Sequence, residues 1–527
     1  MKKYFYITTP LYYVNDKPHI GHAYTTIAAD IIARYKKLKG ENVFFLTGTD
    51  EHGSKIENVA KENGYSPKEW TDKIVTYFKN TWERLTIEYD HFIRTTDEEH
   101  ITVVKNVFQK LQEKGLIYKG QYTGWYCVPC ETFLTETQLQ TVTTTEDNKN
   151  TPICPDCQRP VEKISEESYF FKLSLFSEAL LKHYETHPAF LQPAYRASEI
   201  KNFVSLGLKD LSISRSIAQV SWGIPVPKDE KYTIYVWFDA LINYISACKY
   251  SISDDNFYLY WPVDCHLVGK EIFRFHTVIW PAMLMGLGVE PPKSVFAHGW
   301  WTVEGEKMSK SRGNIIDPNS FIDEYSADAF RYFLFREMPF GKDGNFSISN
   351  FINRYNNELC NELGNLVSRV LALIERHCNS IIPSYAHTEV LCNKIAEVEK
   401  KIEDCFNSYE LQGALISAWE VVSLANKYID SAQPWKLVKD NYEKFATISY
   451  GLCEVLRYIA IFLYPFLPNT AYKILLQLGV IDESVTLKNL LQEIRNKYGQ
   501  KFFSTHSYGK IKLYRINKRE VLFKRKT

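Results

Sequence analysis

Residues 3–13, KYFYITTPLYY, residues 22–40, HAYTTIAADIIARYKKLKG, and residues 41–53, ENVFFLTGTDEHG, read in succession as strand, helix and strand. The first alternates with the period of a strand, the second spaces its apolar residues helically and stops at Gly40, and the third is a short apolar run. Strands joined through helical crossovers lie parallel, and ligands gather at their carboxyl ends. The alternation returns at residues 232–247, YTIYVWFDALINYISA, and 265–284, CHLVGKEIFRFHTVIWPAML. The expected fold is therefore α/β, built on a Rossmann-like parallel sheet.

Working outward, the pattern breaks between 116 and 228 into short aromatic strands, a Thr-rich loop (TVTTTEDNKNTP, 141–152) and two Cys pairs, as an insertion would. Past 350 it changes to long amphipathic helices, including 355–377 and 415–435, which predict a helical bundle. The expected division is 1–115 and 229–350 for the two halves of the sheet domain, 116–228 for the insertion, and 351–527 for the helical domain with a basic tail.

Length and composition narrow the classes. At 527 residues with 45% hydrophobic and 24% charged residues, the chain has material for several cores, which excludes wholesale disorder and fibrous repeats. The most apolar stretch, VLRYIAIFLYPFL at 455–467, is too short for a membrane span and carries Arg457, so it reads as a buried helix. The N-terminus lacks a secretory pattern, and eleven cysteines are too few for a disulfide scaffold. A reducing, cytoplasmic compartment is expected. Net charge is +1, but residues 510–527 hold eight Lys and Arg against Glu520 alone. Any RNA binding must therefore rest on local patches, and that tail reads equally as an RNA-backbone contact or a solvated end.

Three motifs carry chemistry. His19-Ile20-Gly21-His22 lies between the first strand and first helix, where unpaired N–H groups and a positive dipole end suit a phosphate. Residues 305–313, GEKMSKSRG, place Lys307 and Lys310 with Ser309 and Ser311 on a Gly-bounded loop that could close over a triphosphate. Taken alone, the first could be a surface cap and the second a solvated basic loop. Cys127-x-x-Cys130 and Cys154-x-x-Cys157, 23 residues apart, have the spacing of a tetrahedral four-thiolate Zn²⁺ site; with no open coordination position it would be structural. The remaining cysteines read as packing.

HIGH followed by KMSKS resembles the paired signatures of the class I aminoacyl-tRNA synthetases. The flanking text TTPLYYVNDKPHIGHAYTT, LTGTDEHG, YVWFDALINY and HGWWTVEGEKMSKSRGN is similar to the methionine-specific family in particular, over essentially the whole chain. The resemblance implies an α-helical anticodon-binding domain at the C-terminus, a zinc knuckle in the connective insertion, and methionine–tRNA ligase chemistry. By that resemblance methionine would be activated by ATP to an adenylate with release of pyrophosphate, then passed to the 3′ end of initiator and elongator tRNA(Met).

Residue by residue, the resemblance implies catalysis by His19, His22, Lys307 and Lys310, with Mg²⁺ bridging the phosphate oxygens. ATP would be held by these together with Gly21, Gly269, Lys270, Glu271, Met308, Ser309 and Ser311. Glu271 departs from the Asp common at its position, which puts its ribose contact in doubt. Methionine would be held by Pro10, Leu11, Tyr13, Asp50, Trp237, Ala240, Tyr244, His276 and Ile279. Asp50 takes the ammonium as a charge-assisted partner, and Tyr244 and His276 supply directional polar contacts beside an aromatic wall for the sulfur. Asn365, Arg369 and Trp435 match the positions that recognise the CAU anticodon, two polar edges and one stacking platform. The insertion is too short for the editing domain of the isoleucine, valine and leucine enzymes. A monomer is expected, with no membrane partner.

Three other readings compete. A non-catalytic tRNA-binding relative would show damaged signatures, whereas HIGH, KMSKS and Asp50 are intact. A small-molecule adenylate-forming enzyme leaves the zinc insertion and RNA-reading helices unexplained. A class I enzyme for another amino acid would differ in the register around Trp237 and Tyr244.

Overall fold

A computed structural model of the chain describes residues 4–127, 132–134, 136, 139–143, 150–155, 157–308, 313–383, 389–511, 515–517 and 519–526. The backbone divides into two compact units, Met1–Pro18, Phe44–Asn80 and Tyr89–Ala297 in one, His19–Val43, Thr81–Glu88 and His298–Thr527 in the other.

The first unit is organised by a six-stranded sheet. Its strands in chain order are β1 (Tyr4–Tyr13), β2 (Asn42–Asp50), β3 (His91–Arg94), β4 (Leu191–Gln192), β5 (Cys265–Gly269) and β6 (Val295–His298), laid side by side as β3-β2-β1-β5-β6-β4. β1 runs parallel to β5, with Thr8 opposite His266; β2 runs parallel to β3 and β6 to β4. The centre of this sheet is covered on both faces. That is why β5 is buried at every residue and why its sequence, CHLVG, is continuous rather than alternating. An apolar core of Leu46, Val104, Phe108, Phe238, Leu241, Ile245, Val268, Met283 and Leu284 fixes the helices on the sheet.

The insertion pairs Ile117–Cys127 antiparallel to Glu162–Phe171, with Thr132–Leu134 on its outer edge. A two-stranded ribbon, Gln140–Thr143 with Asn150–Ile153, precedes the second Cys pair. Cys127, Leu134, Cys154 and Val161 form a separate small core.

In the second unit, α1 (Ile20–Leu38) buries nearly its whole length. Tyr24 packs edge-on against His298 and Trp301 and stacks on Phe335, and Tyr35 stacks on Phe406 at 3.7 Å. The C-terminal helices include Asn365–Cys378, Glu389–Asn407, Leu411–Ala432 and Tyr442–Leu463. The segment expected as one helix over 355–377 begins instead with a widened π-type stretch, Tyr355–Gly364. Among the described residues one helix, Tyr442–Leu463, is long and apolar enough to cross a membrane. It is buried here: Arg457 is fully covered and forked onto Glu454, at 2.9 Å through both Nε and NH2, as the apolar run with one arginine predicts.

Candidate active site

The first unit gathers the side chains expected around methionine. Asp50 ends β2, buried at the carboxyl edge of the sheet, and Pro10, Leu11 and Tyr13 lie at the same edge of β1. α2 (Val236–Ser246) carries Trp237, Ala240 and Tyr244, and a π-turn, Phe275–Ile279, carries His276 and Ile279. Trp237 stacks on Phe275 with ring centroids 3.9 Å apart. Gly269, Lys270 and Glu271 follow where β5 ends, and the Glu271 carboxylate occupies the space that a Cβ on Gly269 would need.

Hydrogen-bond direction can be assigned at His276. Its Nδ1 lies 3.0 Å from the Ile272 carbonyl, which only accepts, so Nδ1 carries the proton. Nε2 is then an acceptor, and the Tyr244 hydroxyl at 2.7 Å donates to it. Burial holds the imidazole neutral, with its pKa pushed down to about 4, and the same burial raises the Tyr244 phenol. Tyr244 therefore carries a neutral, polarised hydroxyl in buried surroundings.

This neutrality predicts a pH dependence of stability. His276, and His266 with its pKa also lowered by burial, take protons more readily unfolded than folded. The stabilisation from a neutral His276 is complete above the unfolded value of 6.5 and is lost as pH falls towards about 4, and His266 acts in the same direction. For His276 alone this amounts to about 3 kcal/mol. Denaturant titrations between pH 7 and pH 4 should show it, and flat stability over that range would contradict the neutral assignment.

A frame of buried carboxylates that no local sequence pattern shows lies next to Asp50 in the chain. Glu51 is fully buried and forked by Arg94 at 2.6 and 2.7 Å, and its backbone N–H donates to Thr95 Oγ1. Asp239 accepts from His52 Nδ1 and His100 Nε2, each at 2.7 Å. Burial alone would raise the Asp239 carboxyl, but the two imidazoles hold it below the usual range. The partners in this frame lie up to 187 residues away and could not be read from the Asp-Glu-His run.

The second unit holds the phosphate signatures. His19 is the N-cap of α1: its Nδ1 accepts from the Gly21 N–H at 3.0 Å, and His22 Nδ1 accepts from the His19 N–H at 3.2 Å. The two rings stack at 3.9 Å. A Cβ on Gly21 would stand 2.9 Å from the His19 ring, which is why glycine occupies this step of the motif. The Ile20 N–H donates to the Ile316 carbonyl, tying the start of α1 to the chain that returns from the lysine loop. Lys307 is exposed with its Nζ 5.2 Å from the Trp300 ring, and Met308 is half-buried. Ser309, Lys310 and Ser311 lie outside the described residues.

Cys127, Cys154 and Cys157 bring their sulfurs within 4.8 Å of one another, Cys127 and Cys157 at 3.5 Å. Thiolates about 2.3 Å from a shared tetrahedral Zn²⁺ sit at such separations, so these residues fit the metal. Cys130 lies outside the described residues. In the helical region Asn365 is exposed, and the Arg369 NH2 meets Asp430 Oδ1 at 2.5 Å, which brings the end of Leu411–Ala432 against Asn365–Cys378. Gln433 then turns with φ 42°, and Trp435, 44% exposed, stands in the first turn of Pro434–Asp440, where the sequence suggested the end of a helix.

A parallel sheet with a HIGH-type N-cap after its first strand, a lysine loop after its last and a helical domain beyond defines a class I aminoacyl-tRNA synthetase. The family model described as tRNA synthetases class I (M) matches residues 5–371, and an anticodon-binding domain of tRNA ligases matches 389–510. The methionine–tRNA ligase of Caldanaerobacter subterraneus is 52% identical over 93% of this chain and 76% of its own length, and that of Bacillus subtilis 45% identical over 99% and 78%. The methionyl-tRNA synthetase of Mycobacterium tuberculosis, solved with methionyl-adenylate, superposes with a TM-score of 0.90 at 37% identity, covering 99% of both chains. The chain belongs to the methionine family of class I aminoacyl-tRNA synthetases.

Proposed function

We propose that the chain charges tRNA(Met), initiator and elongator, in two steps at one catalytic domain. The methionine carboxylate attacks the α-phosphate of ATP, an α–β phosphoanhydride bond breaks, and pyrophosphate leaves. The terminal ribose hydroxyl of tRNA then attacks the adenylate carbonyl and AMP leaves. No covalent enzyme intermediate is needed, so the protein's work is positioning and charge stabilisation.

Asp50 holds the ammonium. Pro10, Leu11, Tyr13, Trp237, Ala240 and Ile279 surround the side chain, and Tyr244 with His276 meets the sulfur. His19 and His22, ordered on the N-terminus of α1, face the phosphates with the Gly21 backbone, while Gly269, Lys270 and Glu271 take the nucleoside side. Lys307 and Lys310, with Met308, Ser309 and Ser311, close over the pyrophosphate as charge builds there; Mg²⁺ arriving with ATP would add charge neutralisation. The observation that supports this reading most is a buried carboxylate, Asp50, in the unit where Tyr244 and His276 make a neutral polar end to an aromatic pocket. Amino-acid-dependent ATP–pyrophosphate exchange over all twenty amino acids tests it. Exchange with methionine alone is expected, and exchange with leucine or isoleucine would overturn the pocket assignment.

The domain division we propose is the one read from the sequence, with 1–115 and 229–350 catalytic, 116–228 connective and 351–527 anticodon-binding. Asn365, Arg369 and Trp435 read the CAU anticodon. Trp435→Ala is expected to raise KM for tRNA roughly 10- to 100-fold, the worth of one stacked base, with methionine exchange within twofold of the parent. Loss of exchange would contradict the separation of the two functions.

Cys127, Cys130, Cys154 and Cys157 hold one structural Zn²⁺. Cys154→Ser should lower bound zinc from about one per chain towards zero and open the insertion to limited proteolysis between 116 and 228. Full zinc content in that variant would sink the assignment. We place the enzyme in the cytoplasm as a monomer.

A further inference from the structure

His266 is absent from both signatures and from the residues placed around methionine, yet it is fully buried on β5 and touches β1, α2 and Trp280, the residue that directly follows the Phe275–Ile279 turn. Its Nδ1 lies 2.7 Å from Thr8 Oγ1, on β1 just before Pro10 and Leu11. Its Nε2 receives the Trp280 indole N–H at 3.2 Å, and Trp280 directly follows Ile279. Its ring lies against that of Tyr244 on α2, centroids 4.1 Å apart at 44°.

The hydrogens at this junction follow from valence. An indole nitrogen only donates, so His266 Nε2 is the acceptor and the proton resides on Nδ1, which donates to Thr8. Together with the assignment at His276, this makes two neutral imidazoles of fixed tautomer, one beneath the Tyr244 ring and one receiving its hydroxyl. Tyr6 adds a third restraint, its hydroxyl donating to the Tyr244 carbonyl at 2.9 Å.

We propose that His266 is a positioning residue for amino-acid selection: as a neutral platform locked by Thr8 and Trp280, it sets the Tyr244 ring so that the phenol oxygen lies at the thioether end of the pocket. A flat ring of the same size can fill the space, but without both hydrogen bonds it has no fixed rotation, and Tyr244 loses the surface that orients it. Discrimination then suffers where a sulfur is to be told from a methylene, because the directional contact that tells them apart is made through the phenol oxygen.

This inference rests on the methionine-activating reading, and the experiment separates the two. Exchange by the parent enzyme with methionine, and with norleucine, in which a methylene replaces the sulfur, tests the reading itself. His266→Phe is then expected to raise KM for methionine about tenfold, to lower the methionine-to-norleucine ratio of kcat/KM by a similar factor, and to leave KM for ATP within twofold. His266→Gln, which keeps one donor and one acceptor, should recover part of both losses. Should His266→Phe fail to fold, Trp280→Phe removes only the indole donor and is expected to shift the same ratio. An unchanged ratio in a folded variant would overturn the proposal, as would an equal loss of kcat for both amino acids with KM unmoved, the mark of a merely structural core histidine.

Discussion

Asp50→Ala is expected to lower kcat/KM for methionine in pyrophosphate exchange by about a thousandfold, the largest effect of any single substitution in the pocket. Removing one partner of a buried charge pair costs about 3–5 kcal/mol, because the other charge is left uncompensated in a dry site. Here the uncompensated charge is the substrate ammonium, so the loss falls on binding and on everything after it. Asp50 is 4% exposed, and the neighbouring carboxylates are already committed, Glu51 to Arg94 and Asp239 to His52 and His100. None of these can turn to replace it without stranding its own partner. Thermal stability should be little changed and KM for ATP should stay within a few-fold. A loss below tenfold would mean that the ammonium is held elsewhere.

Asp30→Leu is expected to destabilise the second unit by about 3–5 kcal/mol, and to slow exchange although Asp30 touches no substrate. Asp30 sits fully buried between two arginines, Arg34 Nε at 2.8 Å and Arg331 NH2 at 2.7 Å. Burial alone would raise its carboxyl, but the two guanidinium groups hold it below the usual range. Arg331 also donates to the carbonyls of Pro465 and Phe466 at 2.8 Å, and Asp328, on the same helix as Arg331, accepts from the Thr470 N–H at 2.6 Å. The knot thus joins α1, which presents His19 and His22, to Ala327–Arg336 and to the turn before Pro468–Gln477. Removing Asp30 leaves two buried cations; α1 then shifts, and with it the end that presents His19 and His22. Unfolding of Asp30→Leu in denaturant, compared with Arg331→Met and with the double variant, measures the coupling. Additive losses in that cycle would show that the pair is not coupled.

How much of this was legible before folding depended on sequence distance. The alternation of short apolar runs with amphipathic helices announced the parallel sheet, because strand and helix periodicities are local. The HIGH step was readable for the same reason: His19, Gly21 and His22 cap one helix end within four residues. The Cys pairs stood out because their spacing is that of a tetrahedral thiolate site, and Cys127, Cys154 and Cys157 do converge. The residues proposed around methionine could be singled out only through register with neighbouring motifs, since in a chain with 15% aromatic residues each one taken singly looks like core.

The sequence by itself determined the local elements, the His19 cap of α1 and the spacing of the paired cysteines, where few residues close together carry all the constraint. Only the tertiary structure decided which buried polar groups pair with which. Asp239 meets His52 and His100, Glu51 meets Arg94, Asp30 meets Arg331 at a separation of 301 residues, and His266 meets Thr8 at a separation of 258. The physical reason is that a buried polar group must find a partner wherever the packing of the core delivers one. That delivery is a property of strand order and helix docking, and no local pattern encodes it.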